Sequence, residues 1–251
     1  MTENSIFRGA ATALITPLTA DGIDYESFGR LIDWQIESGI DGLVICGTSG
    51  EGSTLSDKEH REALDFAIQR ADGRVPMIAG TGSNDIAYGI DLTKFACEIG
   101  YDAVLVVTPY YNKATQNGLI KSYMATADAS SKPCILYNVP SRTGVNIEPA
   151  TYDILADHPM IQGIKEANGN IAKIVETMSI VGDRLDLYSG NDDEIVPLLS
   201  VGGSGVISVL SNVFPKETSL MCKKFFEGDT KGALELQFKY FKLIKALFSE
   251  V

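Results

Sequence analysis

Eight short apolar runs, recurring at a regular interval, constrain the fold of this chain more than any other feature. They cover residues 9–15, 42–46, 75–79, 103–107, 134–137, 161–164, 185–188 and 205–209. Most are nearly continuous in apolar residues, the pattern expected of parallel strands buried on both faces. Stretches of helical periodicity separate them. Residues 25–37 carry Phe28, Leu31, Ile32, Gln35 and Ile36 on adjoining faces. Residues 57–70 open with Ser56 as N-cap and Glu59 as its capping-box partner. Residues 85–99, 117–129, 171–181, 194–200 and 215–226 follow. Eight βα units in 251 residues predict an α/β chain of the (β/α)8 TIM-barrel class. A doubly wound sheet is the alternative, but no Gly-x-Gly-x-x-Gly follows the first run, and the spacing from Gly47 to Gly52 is wrong for a dinucleotide fingerprint.

Composition narrows the function classes. The net charge is −12 and no Lys/Arg cluster appears, which argues against nucleic-acid binding. Cys46, Cys97, Cys134 and Cys222 have apolar neighbours and no metal-ligand spacing, so buried free thiols in a reducing compartment are expected. Met1 to Ser5 holds neither a basic stretch nor an apolar core, and no apolar run approaches a membrane span. A cytoplasmic protein with no membrane association is expected. No His pair, Cys pair or carboxylate cluster stands at ligand spacing, so neither metal nor cofactor is expected.

In a barrel of this kind the active site lies at the C-terminal ends of the strands. Those ends carry Thr16, Thr48 and Ser49, Thr81, Tyr110 and Tyr111, Tyr137 and Asn138, Lys165 and Glu166, Gly190 and Asn191, and Ser208. Most lysines are solvated, but Lys165 closes a buried run, where desolvation favours a neutral amine nucleophile. Tyr137 ends the preceding run, one βα unit earlier, and a phenol beside an amine suits Schiff-base carbonyl chemistry. Arg142 lies just past that strand, and its guanidinium fork suits a carboxylate. Thr48 and Ser49 sit in a Gly-rich loop whose backbone N–H groups can approach an anion. His60, assigned to an exposed helix face, and His158, before Pro159 on the opposite rim, are poor candidates for a base. The run Asp192-Asp193-Glu194 is read as opening a helix, where negative charge is favourable.

Gly47-Thr48-Ser49-Gly50-Glu51, Tyr110-Tyr111-Asn112, Tyr137-Asn138-Val139-Pro140-Ser141-Arg142-Thr143-Gly144 and Gly163-Ile164-Lys165-Glu166, in this order, resemble the pyruvate-dependent class I aldolase/lyase superfamily. Within it the chain looks like the dihydrodipicolinate synthase family from Phe7 to its end. The resemblance implies a lyase that condenses pyruvate with L-aspartate 4-semialdehyde in lysine and diaminopimelate biosynthesis, with no cofactor beyond a covalent pyruvate imine on Lys165. It matches Tyr137 to the proton shuttle, and Thr48 and Tyr111 to its partners in a relay, Tyr111 reaching a neighbouring subunit of a homodimer or homotetramer. It sets Ser49 near the pyruvate carboxylate and Arg142 on the aldehyde substrate's carboxylate, with Gly190, Asn191 and Ile207 lining the site. An inhibitory lysine site would use Ser53, His60, Asn84, Tyr88 and Tyr110, with Tyr88 standing where lysine-sensitive members often carry Glu. The Ser-Arg-Thr-Gly run separates this family from N-acetylneuraminate lyases and sugar-acid aldolases, which with an inactive barrel are the alternatives. Family members continue through a C-terminal helical domain. Here residues 1–226 are expected to form the barrel and 227–251 a remnant of that domain, its helix at 231–248 apolar around most of its girth and exposing apolar surface.

Overall fold

The computed structural model describes residues 5–249. The reading of the first residues as free of a leader therefore falls largely outside the described residues. Eight parallel strands close into a barrel: β1 Gly9–Ala13, β2 Gly42–Ile45, β3 Met77–Gly80, β4 Ala103–Val107, β5 Cys134–Asn138, β6 Ile161–Glu166, β7 Asp186–Ser189 and β8 Gly205–Ser208. Each pairs with its neighbours in sequence, and β1 pairs with both β2 and β8. The surrounding helices are α1 Tyr25–Glu37, α2 Asp57–Ala71, α3 Ile86–Glu98, α4 Gln116–Ala129, α5 Pro149–Leu155, α6 Ile171–Val181, α7 Ile195–Ser200 and α8 Pro215–Phe226, with α9 Thr230–Leu247 after them. The expected (β/α)8 architecture is thus the observed one.

The strands are largely apolar because both faces are buried. Ala11, Val44, Ile78, Leu105, Ile135, Tyr188 and Ile207 fill the interior, while Leu43, Val104, Leu136, Ile164, Leu187 and Val206 pack outward against the helices. Each such aliphatic side chain contributes roughly 1.5–3 kcal/mol on burial. Phe7 stacks on the Tyr188 ring at 4.3 Å between centroids, and the Tyr188 hydroxyl donates to the Phe7 carbonyl at 2.9 Å. Helix α2 begins with the expected capping box: Ser56 Oγ accepts from Glu59 N, and Ser56 N donates to the Glu59 carboxylate at 2.9 Å.

Several sequence expectations need correction. The first strand stops at Ala13, two residues short of the apolar run. Helix α5 and a small hairpin pairing Leu18–Thr19 with Gly22–Ile23 were not expected. The segment 194–200 starts instead as a tight 3-10 turn, Asp192–Glu194, ahead of α7. His60 is not exposed: it lies on the buried side of α2, and its Nε2 donates to the Gly80 carbonyl at 2.9 Å. Helix α9 buries Ala233, Gln237, Tyr240 and Ile244 on one face and leaves Phe238 69% exposed on another. All four cysteines are free, with Cys97 half-buried and the others buried. Among the described residues no helix is long and apolar enough to cross a membrane.

Candidate active site

The register of β5 and β6 sets the centre of the site. Tyr137 stands opposite Lys165, and Asn138 opposite Glu166. Successive strand side chains point to opposite faces, so one of these pairs is turned inward and the other toward the helices. Lys165 Nζ lies 4.1 Å from the centre of the Tyr137 ring, a cation–π distance. Both residues are buried, at 4% and 5% exposure, although Lys is among the side chains least often buried. From the next strand end Gly190 closes over the amine. A Cβ built there would sit 3.2 Å from Lys165 Cε and 2.8 Å from the Ala167 Cβ, so only glycine allows this approach.

A cavity of about 260 Å³ opens at the C-terminal mouth of the barrel. Thr48, Tyr110, Tyr137 and Arg142 line it, and so do Ser53 and His60. Lys165 is not among its lining residues and stands against the Tyr137 ring, which is. The floor between β2 and β3 is tight because Cys46 adopts a left-handed backbone (φ 56°) and turns its carbonyl onto Gly80, where a Cβ would lie 2.4 Å from that oxygen. Arg142 is exposed on a single helical turn, Pro140–Thr143, which Gly144 ends in the left-handed region. His60 donates through Nε2 to a carbonyl, which leaves Nδ1 as its acceptor, buried and with no hydrogen-bond partner among the described residues. Burial lowers its pKa, so the ring is neutral at neutral pH.

The other sequence-derived candidates are placed less centrally. Ser49 is half-buried and does not line the cavity. Tyr111 projects from the barrel, 87% exposed, on a strained left-handed backbone (φ 70°). Asn191 donates through Nδ2 to the Glu194 carboxylate at 3.0 Å, and Ile207 is fully buried in the interior cluster with Tyr137 and Ala167. Asn84 carries, on its backbone carbonyl, a bond from Asn112 Nδ2. Tyr88 is half-buried, its hydroxyl pushed up by desolvation and by the Asp57 carboxylate.

Two buried carboxylates were given no role from the sequence. Asp192, read there as a helix-opening charge, is fully buried. It accepts from Ser208 Oγ at 2.5 Å and from the N–H groups of Val209 and Leu210 at 2.9 Å each. Desolvation raises its pKa, and those three donors and the Lys165 charge pull it back. Glu166 is 1% exposed, accepts from Asn138, Tyr152 and Asn168, and is pushed up to about 7 by desolvation. Its place right after a buried Lys in a buried strand was the available signal, because the alternation of the strand turns the carboxylate away from the amine. Among the described residues no group of three His, Cys, Asp or Glu is arranged to hold a metal ion.

A closed (β/α)8 barrel with a buried Lys–Tyr pair at the C-terminal ends of β5 and β6 has the layout of a lyase of the class I aldolase type. The chain belongs to the dihydrodipicolinate synthetase family, whose model matches residues 6–251. A 4-hydroxy-tetrahydrodipicolinate synthase of Clostridium perfringens is 47% identical over 245 residues, 98% of this chain and 84% of that protein. The enzyme of the same name from Lachnoclostridium phytofermentans is 52% identical over 249 residues, 98% of this chain and 85% of its own. The crystal structure of dihydrodipicolinate synthase from Aquifex aeolicus superposes with a TM-score of 0.95 at 40% identity, covering 98% of this chain and 84% of that one.

Proposed function

We propose that this chain is a lyase that condenses pyruvate with L-aspartate 4-semialdehyde to give 4-hydroxy-tetrahydrodipicolinate, a step of lysine and diaminopimelate biosynthesis. The observation that carries the reading is the Lys165–Tyr137 pair: a buried amine 4.1 Å from a phenol ring, under a glycine that leaves space beside its Cε.

In this reading Lys165 Nζ attacks the ketone carbon of pyruvate, and loss of water from the carbinolamine leaves an imine. The protonated imine withdraws electrons from the neighbouring methyl group, which gives up a proton to form the enamine. The enamine carbon bonds to the aldehyde carbon of the second substrate, and the aldehyde oxygen takes up a proton. The amino group carried by that substrate then adds to the imine carbon, closes the ring and expels Lys165 as free amine. Tyr137 moves the protons, with Thr48 and Tyr111 as its relay. Ser49 and the N–H groups of Thr48 and Ser49 receive the pyruvate carboxylate, while Arg142 receives the carboxylate of the aldehyde. Gly190, Asn191 and Ile207 shape the wall. The covalent imine is the electron sink, so the reaction asks for no cofactor.

Tyr111 supports a homo-oligomer as the working unit. An aromatic ring 87% exposed on strained backbone packs little against its own barrel, and in a dimer or tetramer it would complete a neighbour's relay. A cytoplasmic location fits this metabolic role.

Borohydride reduction in the presence of pyruvate, read by peptide mass spectrometry, tests the reading. The expected result is one reduced adduct on Lys165, followed by turnover with aspartate semialdehyde and none with sialic acid. A folded protein with no adduct, or with turnover of sialic acid alone, would overturn it.

A further inference from the structure

Lys165 and Tyr137 sit on adjacent strands, and their relative position to within an ångström decides whether the phenol reaches atoms bonded to Nζ. The next residue on each strand faces away from the site. There Asn138 Nδ2 donates to both oxygens of Glu166, at 3.0 and 3.2 Å. Asn138 is also the point where the Arg142-bearing loop leaves and returns. Its Nδ2 reaches Asn146 Oδ1 at 2.8 Å, and its Oδ1 accepts from Ile147 N at 3.1 Å. On the other side Glu166 accepts from Asn168 N at 2.9 Å, within the loop that follows β6, and from the Tyr152 hydroxyl of α5 at 3.1 Å.

We propose that Glu166 is a positioning residue for the condensation: from the outer face of the barrel its carboxylate ties together the segments that carry Lys165, Tyr137 and Arg142. This rests on the role read above for Lys165. The carboxylate accepts from Asn138, Asn168 and Tyr152, so the ionised acid satisfies all three donors without rearrangement. A glutamine sets its amide NH2 either against the Asn168 N–H, which cannot accept, or against Tyr152, whose hydroxyl must then turn from donor to acceptor, and a protonated acid faces the same choice with its hydroxyl. The cost of holding a buried charge here fits a functional use, because apolar packing would serve stability better.

The charge state of the clip changes near neutrality. Tyr152 of α5 and Tyr123 of α4 are the other titratable groups facing it. Both are completely buried and raised well above the ordinary phenol range, while Glu166 sits at about 7. Lys165 stands on the opposite face of the same strand. As pH falls through about 7, Glu166 takes up a proton and the clip loosens, so kcat falls with it.

The test compares wild type, Glu166→Gln and Tyr152→Phe in steady-state assays with pyruvate and aspartate semialdehyde from mildly acidic to mildly alkaline pH. Borohydride trapping is run in parallel. Wild type is expected to show an acid limb near pH 7. Glu166→Gln is expected to keep the pyruvate adduct on Lys165, lose about 10- to 100-fold in kcat from misplacement of the reacting groups, raise the KM for the aldehyde and lack that limb. Tyr152→Phe, which removes one donor and keeps the charge, is expected to keep the limb and show a smaller rise in aldehyde KM. Wild-type kinetics and pH profile in Glu166→Gln would overturn the proposal, as would a uniform fall in kcat with KM and limb unchanged. If Glu166→Gln fails to fold, Tyr152→Phe decides: unchanged aldehyde KM overturns the proposal. Absence of the adduct in wild type sinks the proposed function instead, so the two failures are distinguishable.

Discussion

Gln237→Leu is the substitution that best tests how α9 is tied to the site. Gln237 is 3% exposed and lies on the inner face of α9. Its Nε2 donates to the Asp192 carbonyl at 2.7 Å, and its Oε1 accepts from Val196 N at 3.2 Å, in the first turn of α7. That N–H is one of the donors a helix start leaves without an intrahelical partner, so Gln237 caps α7 from another helix. Leucine fills nearly the same volume, so the cavity term is small and the loss is one of hydrogen bonding. Two buried backbone groups are left unpaired at roughly 1–3 kcal/mol each, which puts the destabilisation at about 4 kcal/mol. With roughly 2.1 cal/mol/K of unfolding entropy per residue, a chain of this length should lose about 8 °C in Tm. Thermal melting followed by circular dichroism measures this, with Phe238→Ala on the exposed side of the same helix as the control, expected within about 0.5 kcal/mol of wild type. Because Asp192 follows directly on Gly190-Asn191, pyruvate trapping should also slow in Gln237→Leu. A Tm loss no larger than that of the control would refute the claim that the Gln237 bonds anchor this helix.

Other measurements probe different parts of the site. Gly190→Ala should fold with a loss of about 1–3 kcal/mol from overpacking against Ala167 and should slow pyruvate trapping, because its methyl group would sit 3.2 Å from Lys165 Cε and push the amine aside. Normal trapping in that variant would show that the glycine approach does not shape the amine's pocket. Alkylation of the native protein at mildly alkaline pH should label Cys97 first, since burial removes access and pushes the Cys46 and Cys134 thiols up to about 12 and Cys222 higher still. Peptide mass spectrometry finding early label on Cys46 would contradict this. Lysine should inhibit weakly: Tyr88 offers no countercharge to an ammonium, and the neighbouring Asp57 carboxylate is already engaged by Arg61 at 2.8 Å. Tyr88→Glu should increase sensitivity, and sub-millimolar inhibition of the wild type would refute the argument.

The barrel was legible because parallel strands buried on both faces read as continuous apolar runs, and eight such runs admit few architectures. Lys165 was legible for the same reason, as the amine ending one of those runs. What escaped is mostly non-local. Asp192 looks like an ordinary helix-opening acid until β8 closes beside β7 and brings Ser208 and the N–H groups of Val209 and Leu210 onto its carboxylate. Helix α5 spans seven residues, too few for a helical period to show, and its start is marked only by Pro149 at the first position. His60 is a different case, because the pattern was present. With Leu64, Ala67 and Ala71 it continues the buried stripe of α2, and a polar residue on that stripe belongs inside if it finds a partner, as it does in the Gly80 carbonyl.

Glu166 connects this legibility to energetics. Its pKa of about 7, raised from 4.5, means that the folded protein holds the carboxyl proton more tightly than the unfolded chain does. The sign follows by linkage: stability falls as pH rises from the unfolded value toward the folded one, then levels off, for a total on the order of 3 kcal/mol. At neutral and higher pH the enzyme therefore carries a charge that disfavours its own fold, at the position where that charge organises Asn138, Tyr152 and Asn168. A residue kept for stability alone would have no reason to do so. Removing the charge should accordingly move stability and activity in opposite directions. The Tm of Glu166→Gln relative to wild type should rise from mildly acidic pH to about 7 and level off above it, while its kcat relative to wild type falls as pH rises through about 7. A Tm difference that stays flat across that range would mean that Glu166 does not titrate in the folded protein near neutrality, and that the acid limb expected of wild type must come from another group.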